Sequence, residues 1–441
     1  MVKKVKESMM TKKRKKKEEV MSNKSKKGSI LLILMVCVFA GGLTTLYAEE
    51  AAWPHTMELK NPEVQEGILV FESEDGYFKY WFDARVQWEW GMYFEGDNQL
   101  NNGSQMRRGT FALKSTLYRD WEAEVDLGFG RGEFEVRDAW VKYNFPGHNG
   151  TIQAGYFKEA FGLERLTSSR MLMFNERAGD SVFEPGRHKG ISYNHWGRNW
   201  AVTTGLYGHD DITENRFEEA SEPVGVNVRA TIAPILEHRK IVHLGVAGSH
   251  RTMGGDDGYR IRYRARPESR ISNSGGLRFL HTGWINDVDD YNRYGVEAGV
   301  VYGPFQFQSE YKGVMINRDS DLDDPSFYSF YAFASYFLTG ESRGYDVADG
   351  EFAAFDHPRN KYGAFQLAVR YSQTCLTDED AEIYGGTNDN ITIGLNWYAN
   401  RNIKVQFNYI ITSYDEYADG NGSLIPEDSF SFFGIRLTAR I

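Results

Sequence analysis

The sequence predicts an all-β fold, a transmembrane antiparallel β-barrel of about 16 strands with a long third loop folded inward, and three observations carry that prediction. Apolar and polar residues alternate over stretch after stretch. Successive side chains on a strand point to opposite faces, so this describes a wall with lipid on one side and water on the other. Aromatic residues make up 15% of the chain, with 45 Gly against only 11 Pro, a mixture that suits many strands joined by Gly- and Asn-containing turns. Mean hydropathy is −0.52 and no 20-residue apolar run exists beyond the N-terminus, which excludes a helical membrane protein but not a barrel, whose strands average out as polar.

Taken in order, the chain opens with an export segment, residues 1–48. A basic run from Lys3 to Lys27 precedes the apolar Ile30–Ala40, and Leu46-Tyr47-Ala48 offers a cleavage site before Glu49. An uncleaved anchor is the other reading, because Ser29–Ala48 carries no charge; Met9, Met10 and Met21 are alternative starts. Cleavage removes Cys37 and leaves Cys375 alone, so no internal disulfide is expected in an oxidising compartment. It also takes away 12 of the 51 basic and 3 of the 61 acidic residues, leaving a formal charge of −19. A nucleic-acid partner is thereby excluded. The remaining cations are mostly Arg, the forked donor suited to carboxylate and phosphate oxygens.

Residues 49–75 read as an irregular segment and 76–441 as a single barrel domain with no dividing linker. From Tyr77 to Trp90, Phe78, Tyr80, Phe82, Ala84, Val86, Trp88 and Trp90 oppose Lys79, Trp81, Asp83, Arg85, Gln87 and Glu89. Such length exceeds an ordinary globular strand and matches a tilted membrane-spanning one with an extension. The same alternation recurs in Trp121–Phe129, Asp138–Phe145, Val226–Ile232, Phe305–Lys312, Phe365–Tyr371, Ile403–Ile411 and Ile435–Ile441, among 16 to 18 candidates. Turn signals such as Asn102-Gly103, Asn149-Gly150, Gly254-Gly255 and Asn421-Gly422 separate them. Longer acidic connections are expected at Asn286–Asp290, Asp319–Asp324 and Asp378–Asp389, since such barrels carry short turns at one end and long polar loops at the other.

Two stretches break the rhythm. Between Phe157 and Lys189 strand patterning lapses, yet Phe161, Leu163, Leu166, Met171, Met173 and Phe174 sit among Lys158, Arg165, Arg170, Arg177 and Arg187. So apolar a loop is expected to fold against the inner wall; an externally packed or disordered loop is the competing reading. The second stretch is Tyr259–Arg266. As a strand it places Arg260, Arg262, Arg264 and Arg266 on one face and Tyr259, Ile261, Tyr263 and Ala265 on the other. Cations ~7 Å apart repel by ~2–3 kcal/mol at an effective dielectric near 20, so that face must meet water, anions or acids. A barrel wall and an exposed strand of a soluble sandwich both satisfy this.

Several motifs resemble the phosphate-selective porin O and P family: Gly155-Tyr156-Phe157-Lys158-Glu159 through Leu166-Thr167-Ser168-Ser169 with Phe174 to Arg177, then Arg262-Tyr263-Arg264-Ala265-Arg266-Pro267-Glu268. Tyr302-Gly303-Pro304-Phe305 with Glu310-Tyr311, Ser335–Arg343 and Gly394-Leu395-Asn396-Trp397-Tyr398 extend the likeness over nearly all of the chain after residue 48. The resemblance implies a 16-stranded outer-membrane barrel, a homotrimer, with its third loop in the lumen and arginines lining a path for inorganic anions. It implies that Arg107-Arg108 are paired arginines opening the second strand, that Lys158, Arg165 and Arg170 lie on the inward loop, and that Asp138 matches an acidic residue of the constriction. Two features depart from the pattern. The chain ends in Ile441 rather than an aromatic residue, and the charge of −19 runs against simple attraction of phosphate.

The expected function is therefore passive diffusion of small anions, phosphate above all, past Arg260, Arg262, Arg264 and Arg266 with Arg107 and Arg108 across the lumen, in contact with outer-membrane lipid and with no cofactor. A general or cation-preferring porin is the alternative, because Asp83, Glu89, Glu122, Glu124 and Asp126 also have inward parity. A secreted soluble β-protein that binds or hydrolyses glycans is the other class. No enzyme is expected: the ten His are scattered without a zinc motif, and no Ser is placed to form a dyad with His195. The run Asp319-x-Asp321-x-Asp323 begins like a calcium loop but has Phe330 where a bidentate Glu is needed.

Overall fold

The structure, a computed structural model, describes residues 59–441 except 66–67, 131–133, 209–222, 254–258, 272–276, 319–321 and 356–357. The export segment 1–48, the Gly254-Gly255 turn and most of the calcium-like run at 319–321 lie outside the described residues.

Sixteen strands form one closed antiparallel barrel. They are β1 (Phe78–Glu95), β2 (Gly103–Leu117), β3 (Trp121–Gly128), β4 (Glu135–Asn144), β5 (Gly150–Lys158), β6 (Arg187–Trp196), β7 (Trp200–Tyr207) and β8 (Gly225–Glu237). The second half is β9 (Lys240–Thr252), β10 (Ile285–Tyr302), β11 (Phe305–Arg318), β12 (Ser326–Phe337), β13 (Ala364–Asp378), β14 (Ile383–Tyr398), β15 (Ile403–Tyr414) and β16 (Ser429–Arg440). Each pairs with the next, and β16 returns to β1 in the register Phe430↔Glu95 through Arg440↔Arg85. Closure leaves no edge, the condition under which strands can cross a bilayer with every backbone group satisfied. The terminal residue takes part, since Ile441 and Ala84 exchange backbone hydrogen bonds of 2.9 and 3.0 Å.

The two faces of the wall divide as the alternation requires. Outward residues are apolar and solvent-accessible, for example Val246 (55% exposed), Val296 (51%) and Ile393 (52%), which is the dress of a surface that meets lipid. Inward positions hold buried Gln87, Glu89, Arg370 and Arg436. Strands run longer than the membrane needs, and this corrects two of the expected loops. Asn286–Asp290 begins β10 and Ile383–Asp389 begins β14, because above the bilayer both faces of a strand are wet and polar residues no longer mark a break. Nor is the segment after residue 58 wholly irregular: Glu63–Gln65 pairs with Ile68–Glu72, and the latter with β1.

One rim carries turns as short as 238–239 and 303–304, the other the long connections 159–186, 253–284 and 415–428. The first of these, 159–186, is the third connection on its rim in chain order, and it packs on inward-facing side chains. Its short helix α1 (Leu163–Leu166) starts with the backbone N–H groups of Leu163 and Glu164 donating to the two carboxylate oxygens of Glu310 at 2.8 and 2.7 Å, so the wall itself satisfies the helix's first donors. Gly162 precedes it at φ 79, where a Cβ would stand 2.6 Å from Lys312 Nζ; only glycine fits. Farther on, the Asn175 N–H donates to Asn408 at 2.8 Å, and Lys404 donates to the Leu172 carbonyl at 2.6 Å.

Segment 253–284 packs alongside, and here a sequence expectation fails. Tyr259–Arg266 is not a wall strand. Tyr259–Ile261 pairs with β10, the strand then breaks, and Arg264–Ala265 pairs with Leu280–His281 in a separate two-stranded sheet. The alternation is real, but its apolar side faces protein rather than lipid: Tyr263 and Ala265 join Phe183, Phe279, Val314, Phe327, Tyr414 and Phe430 in the largest buried cluster. Near this rim the wall turns apolar residues inward to receive the loops, so eight alternating residues alone cannot distinguish lipid from a protein core.

The short-turn rim has one exception, 338–363. It contains a hairpin of Arg343–Asp346 and Glu351–Phe355 whose tip is held by Arg229 of β8, donating at 2.8 Å to the carbonyls of both Asp349 and Gly350. Gly350, at φ +60, has the Thr231 hydroxyl 2.5 Å from where a Cβ would be. Buried Phe352 contacts a cluster with Leu163, Ile241 and Val301. Segments from both rims thus make contacts with inward-facing side chains of the wall.

Candidate anion path

Two bulges shape the inner lining. Between β1 and β2 the register passes from Gln87↔Arg108 to Trp88↔Met106, making Arg107 the extra residue; between β3 and β4 it passes from Asp126↔Asp138 to Leu127↔Val136, making Arg137 the extra one. A bulge lets consecutive residues share a face. Hence Arg107 with Arg108, and Arg137 with Asp138, line a single cavity of about 740 Å³. Lys158, Arg165 and Arg177 reach it from β5 and the third loop, and Arg264, Arg266, Arg270 and Arg278 from 253–284. In all, thirteen Arg and Lys side chains face it against six carboxylates.

Pairing decides which cations are committed. Arg107 donates to both oxygens of Glu176 at 2.7 and 2.8 Å, Arg436 bridges Glu176 and Glu89 at 2.5 and 2.6 Å, and Arg270 lies 3.3 Å from Glu176. Against burial, which pushes it up, Arg107, Arg436 and Arg270 hold the Glu176 carboxyl well below the usual carboxylate range. Arg108 donates to Gln87 at 2.7 Å and stands 4.0 Å from Glu176. Asp138 accepts two bonds from Arg187, at 3.1 and 2.8 Å. Its carboxylate, Glu124 and Asp126 lie within 4.8 Å of one another, and the other two have their own cations, Lys114 at 3.2 Å and Arg137 at 3.3 Å. Lys158 donates to the Arg165 carbonyl at 3.1 Å, and Arg165 stands 3.9 Å from Glu184. Arg170, half-buried in the same loop, is not part of the lining.

The arginines of 253–284 are arranged differently. A second cavity of about 410 Å³, lined by Arg262, Arg264, Arg278 and Arg293, shares Arg264 and Arg278 with the first. Arg260, outside both cavities, and Arg262 stack on the Trp284 ring, 4.3 and 4.2 Å from its centre. Burial and the Arg262 charge lower the Arg264 pKa, the mark of a cation beside cations. The four arginines therefore descend in steps from an indole at the rim, through the smaller cavity, to the larger one.

Sequence reading does not assign Arg85, Lys114, Arg137, Arg177, Arg187, Arg270 or Arg278 to the site, although all line the larger cavity. Inward parity signals Arg85 and Lys114. Arg137 is hidden by its bulge, and Arg270 and Arg278 by irregular backbone.

A closed 16-strand barrel with a polar interior, an apolar belt and a cation-lined inner cavity is an outer-membrane channel of the porin type. The chain belongs to the phosphate-selective porin O and P family, whose model matches residues 81–438. Porin O of Pseudomonas aeruginosa is 25% identical over 392 residues, which cover 81% of this chain and 88% of that one. A Caulobacter vibrioides protein is 28% identical over 364 residues, 79% of this chain and 71% of its own. Among solved structures, the trimer form of Vibrio cholerae OmpT superposes with a TM-score of 0.52 at 11% identity, covering 82% of this chain and 99% of that one. The outer membrane channel DcaP of Acinetobacter baumannii gives 0.50 at 13%, covering 84% and 99%. These two likenesses are of fold.

Proposed function

We propose that the channel passes small anions, phosphate above all, by diffusion through the cation-lined cavity. The observation that carries this is the excess of cations over carboxylates around that cavity, in a chain whose overall formal charge is −10. The acids counted against anion preference are each paired: Asp83 with Arg440, Glu89 with Arg436, Glu122 with Lys142, and, within the cavity lining itself, Glu124 with Lys114 and Asp126 with Arg137. Arg262, Arg264, Arg266 and Arg278 offer forked donors at successive stations, which lets an anion exchange hydration for guanidinium contacts and still move on. Arg107, Arg108, Lys158, Arg165 and the Arg187–Asp138 pair narrow the path below, and the third loop sets its width. Assembly as a trimer and export through a cleaved leader belong to the same reading. Reversal potential across a salt gradient in planar bilayers tests it. Anion preference with millimolar phosphate block of chloride current, both weakened by Arg262→Ala plus Arg264→Ala, is expected; cation preference untouched by those changes would remove the anion assignment and leave a general porin.

A further inference from the structure

A third cavity, of about 480 Å³, lies toward the short-turn rim and shares Gln153, Phe157, Lys158, Leu166 and Asp349 with the basic one. Its chemistry is different. Three cations, Lys142, Lys158 and Arg229, meet three carboxylates, Asp346, Asp349 and Glu351. Two of those cations are already paired with acids outside the lining: Lys142 lies 2.7 Å from Glu122, and Arg229 lies 2.8 Å from Glu297 while holding the hairpin tip. With those two acids counted, three cations stand against five carboxylates, so a bare dianion leaving the basic chamber would find no attraction here. What the chamber does offer is a set of neutral donors and acceptors, Asn144, Gln153, Ser192, Asn194 and Thr203, with Trp196 at the same wall. One carboxylate oxygen of Glu351 is buried and makes no hydrogen bond within the protein. Amides, hydroxyls and carboxylates are the groups that satisfy a run of hydroxyls, each carboxylate oxygen accepting from one, while an indole presents an apolar face to C–H groups.

We propose that the two chambers together seat an organic phosphate, its phosphate among the arginines and its polyhydroxylated body in the neutral chamber, so that the preferred solute is a polyol or sugar phosphomonoester. This rests on the anion reading above and narrows it. Both volumes fall within the ~300–1,000 Å³ typical of small-molecule sites, and their shared lining makes them contiguous. The hairpin tip supplies Asp349 to both, so one side chain touches the junction between head and body.

The test is block of chloride current in planar bilayers by inorganic phosphate, glucose 6-phosphate and glucose in turn. Glucose 6-phosphate is expected to half-block at a concentration about fivefold or more below that of inorganic phosphate, the scale of one added net hydrogen bond, and glucose alone not to block. Trp196→Leu with Glu351→Gln should erase that preference and leave block by inorganic phosphate within about twofold, less than half of one such bond. Equal block by the two phosphates in the unaltered channel overturns the proposal even if the variant fails to assemble, as does a preference that survives in the assembled variant. Absence of block by inorganic phosphate removes the anion reading as well, and its own titration tells the two failures apart.

Discussion

The wall and the long segments that connect its strands handle charge in opposite ways. On the wall, Glu122↔Lys142, Lys114↔Glu124 and Arg436↔Glu89 are direct cross-strand partners, and each forms an ion pair. Directly opposite residues have Cβ atoms ~4.5–5.5 Å apart, so an acid and a base on neighbouring strands meet without any loop to arrange it. In 253–284 the chain keeps only the short pairing of Tyr259–Ile261 with β10 before it leaves the sheet, and Arg260, Arg262 and Arg264 gather around Trp284 and one another instead. The contrast teaches that a β-lattice tends to neutralise itself, and that an excess of one sign is built most readily where backbone is irregular.

The strongest way to break this comparison is to remove the inserted part. Deleting Gly162–Met173 in a barrel that still assembles should raise single-channel conductance severalfold; unchanged conductance would place the loop off the ion path. Next in size is the carboxylate that joins wall to loop. Glu176→Gln leaves Arg107 and Arg436 short of a counter-charge, and losing one partner of a buried pair costs about 3–5 kcal/mol, so heat-modifiable migration should shift to clearly lower temperature. An unshifted transition would mean these ion pairs hold nothing together.

Selectivity sharpens the same contrast. Arg264→Ala with Arg266→Ala should lower the anion-to-cation permeability ratio by about fivefold, ~1 kcal/mol of lost attraction, whereas neutralising the wall pair through Glu122→Gln with Lys142→Gln should leave it nearly unchanged. Equal effects would erase the distinction between wall and loop. The smallest effect concerns Glu164 of the third loop. Burial, opposed by Arg370 and Arg177 and aided by Glu310, pushes its carboxyl up to about 7. A carboxyl raised on folding contributes stability that is fully present below its ordinary value near 4.5 and is lost as pH rises through about 7. Loop anchorage, followed by protease resistance of 159–186, should therefore weaken across that window, and Glu164→Gln should flatten the profile; a profile unchanged by the substitution would clear Glu164 of the effect.

How much of this the sequence discloses follows from the same division. Period-two alternation places the strands because both faces of a wall residue have fixed solvents, lipid and water. The apolar third loop declares itself by length and by Phe161, Met173 and Phe174, all buried. Arg107 and Arg137 escape parity because a bulge adds one residue without leaving a mark in composition. Tyr259–Arg266 misleads for a related reason: alternation reports two unlike faces and is silent on whether the apolar one meets lipid or Phe279. The hairpin in 338–363 is hard to read because its tip is tied through Arg229 to two backbone carbonyls, bonds that leave no mark in the residue types of the turn.

That hairpin has a consequence for how such channels diversify. Phe337 and Ala364 leave and rejoin the wall on paired strands, and the contacts at the tip are to carbonyl groups, which every residue possesses. Asp349 and Glu351 can therefore be exchanged for other side chains while Asp346, which accepts from the Ala348 and Asp349 N–H groups, keeps the turn and the anchor as they are. A lineage can refit what the inner chamber accepts by rewriting a few codons on one turn, with the sixteen-strand scaffold inherited intact.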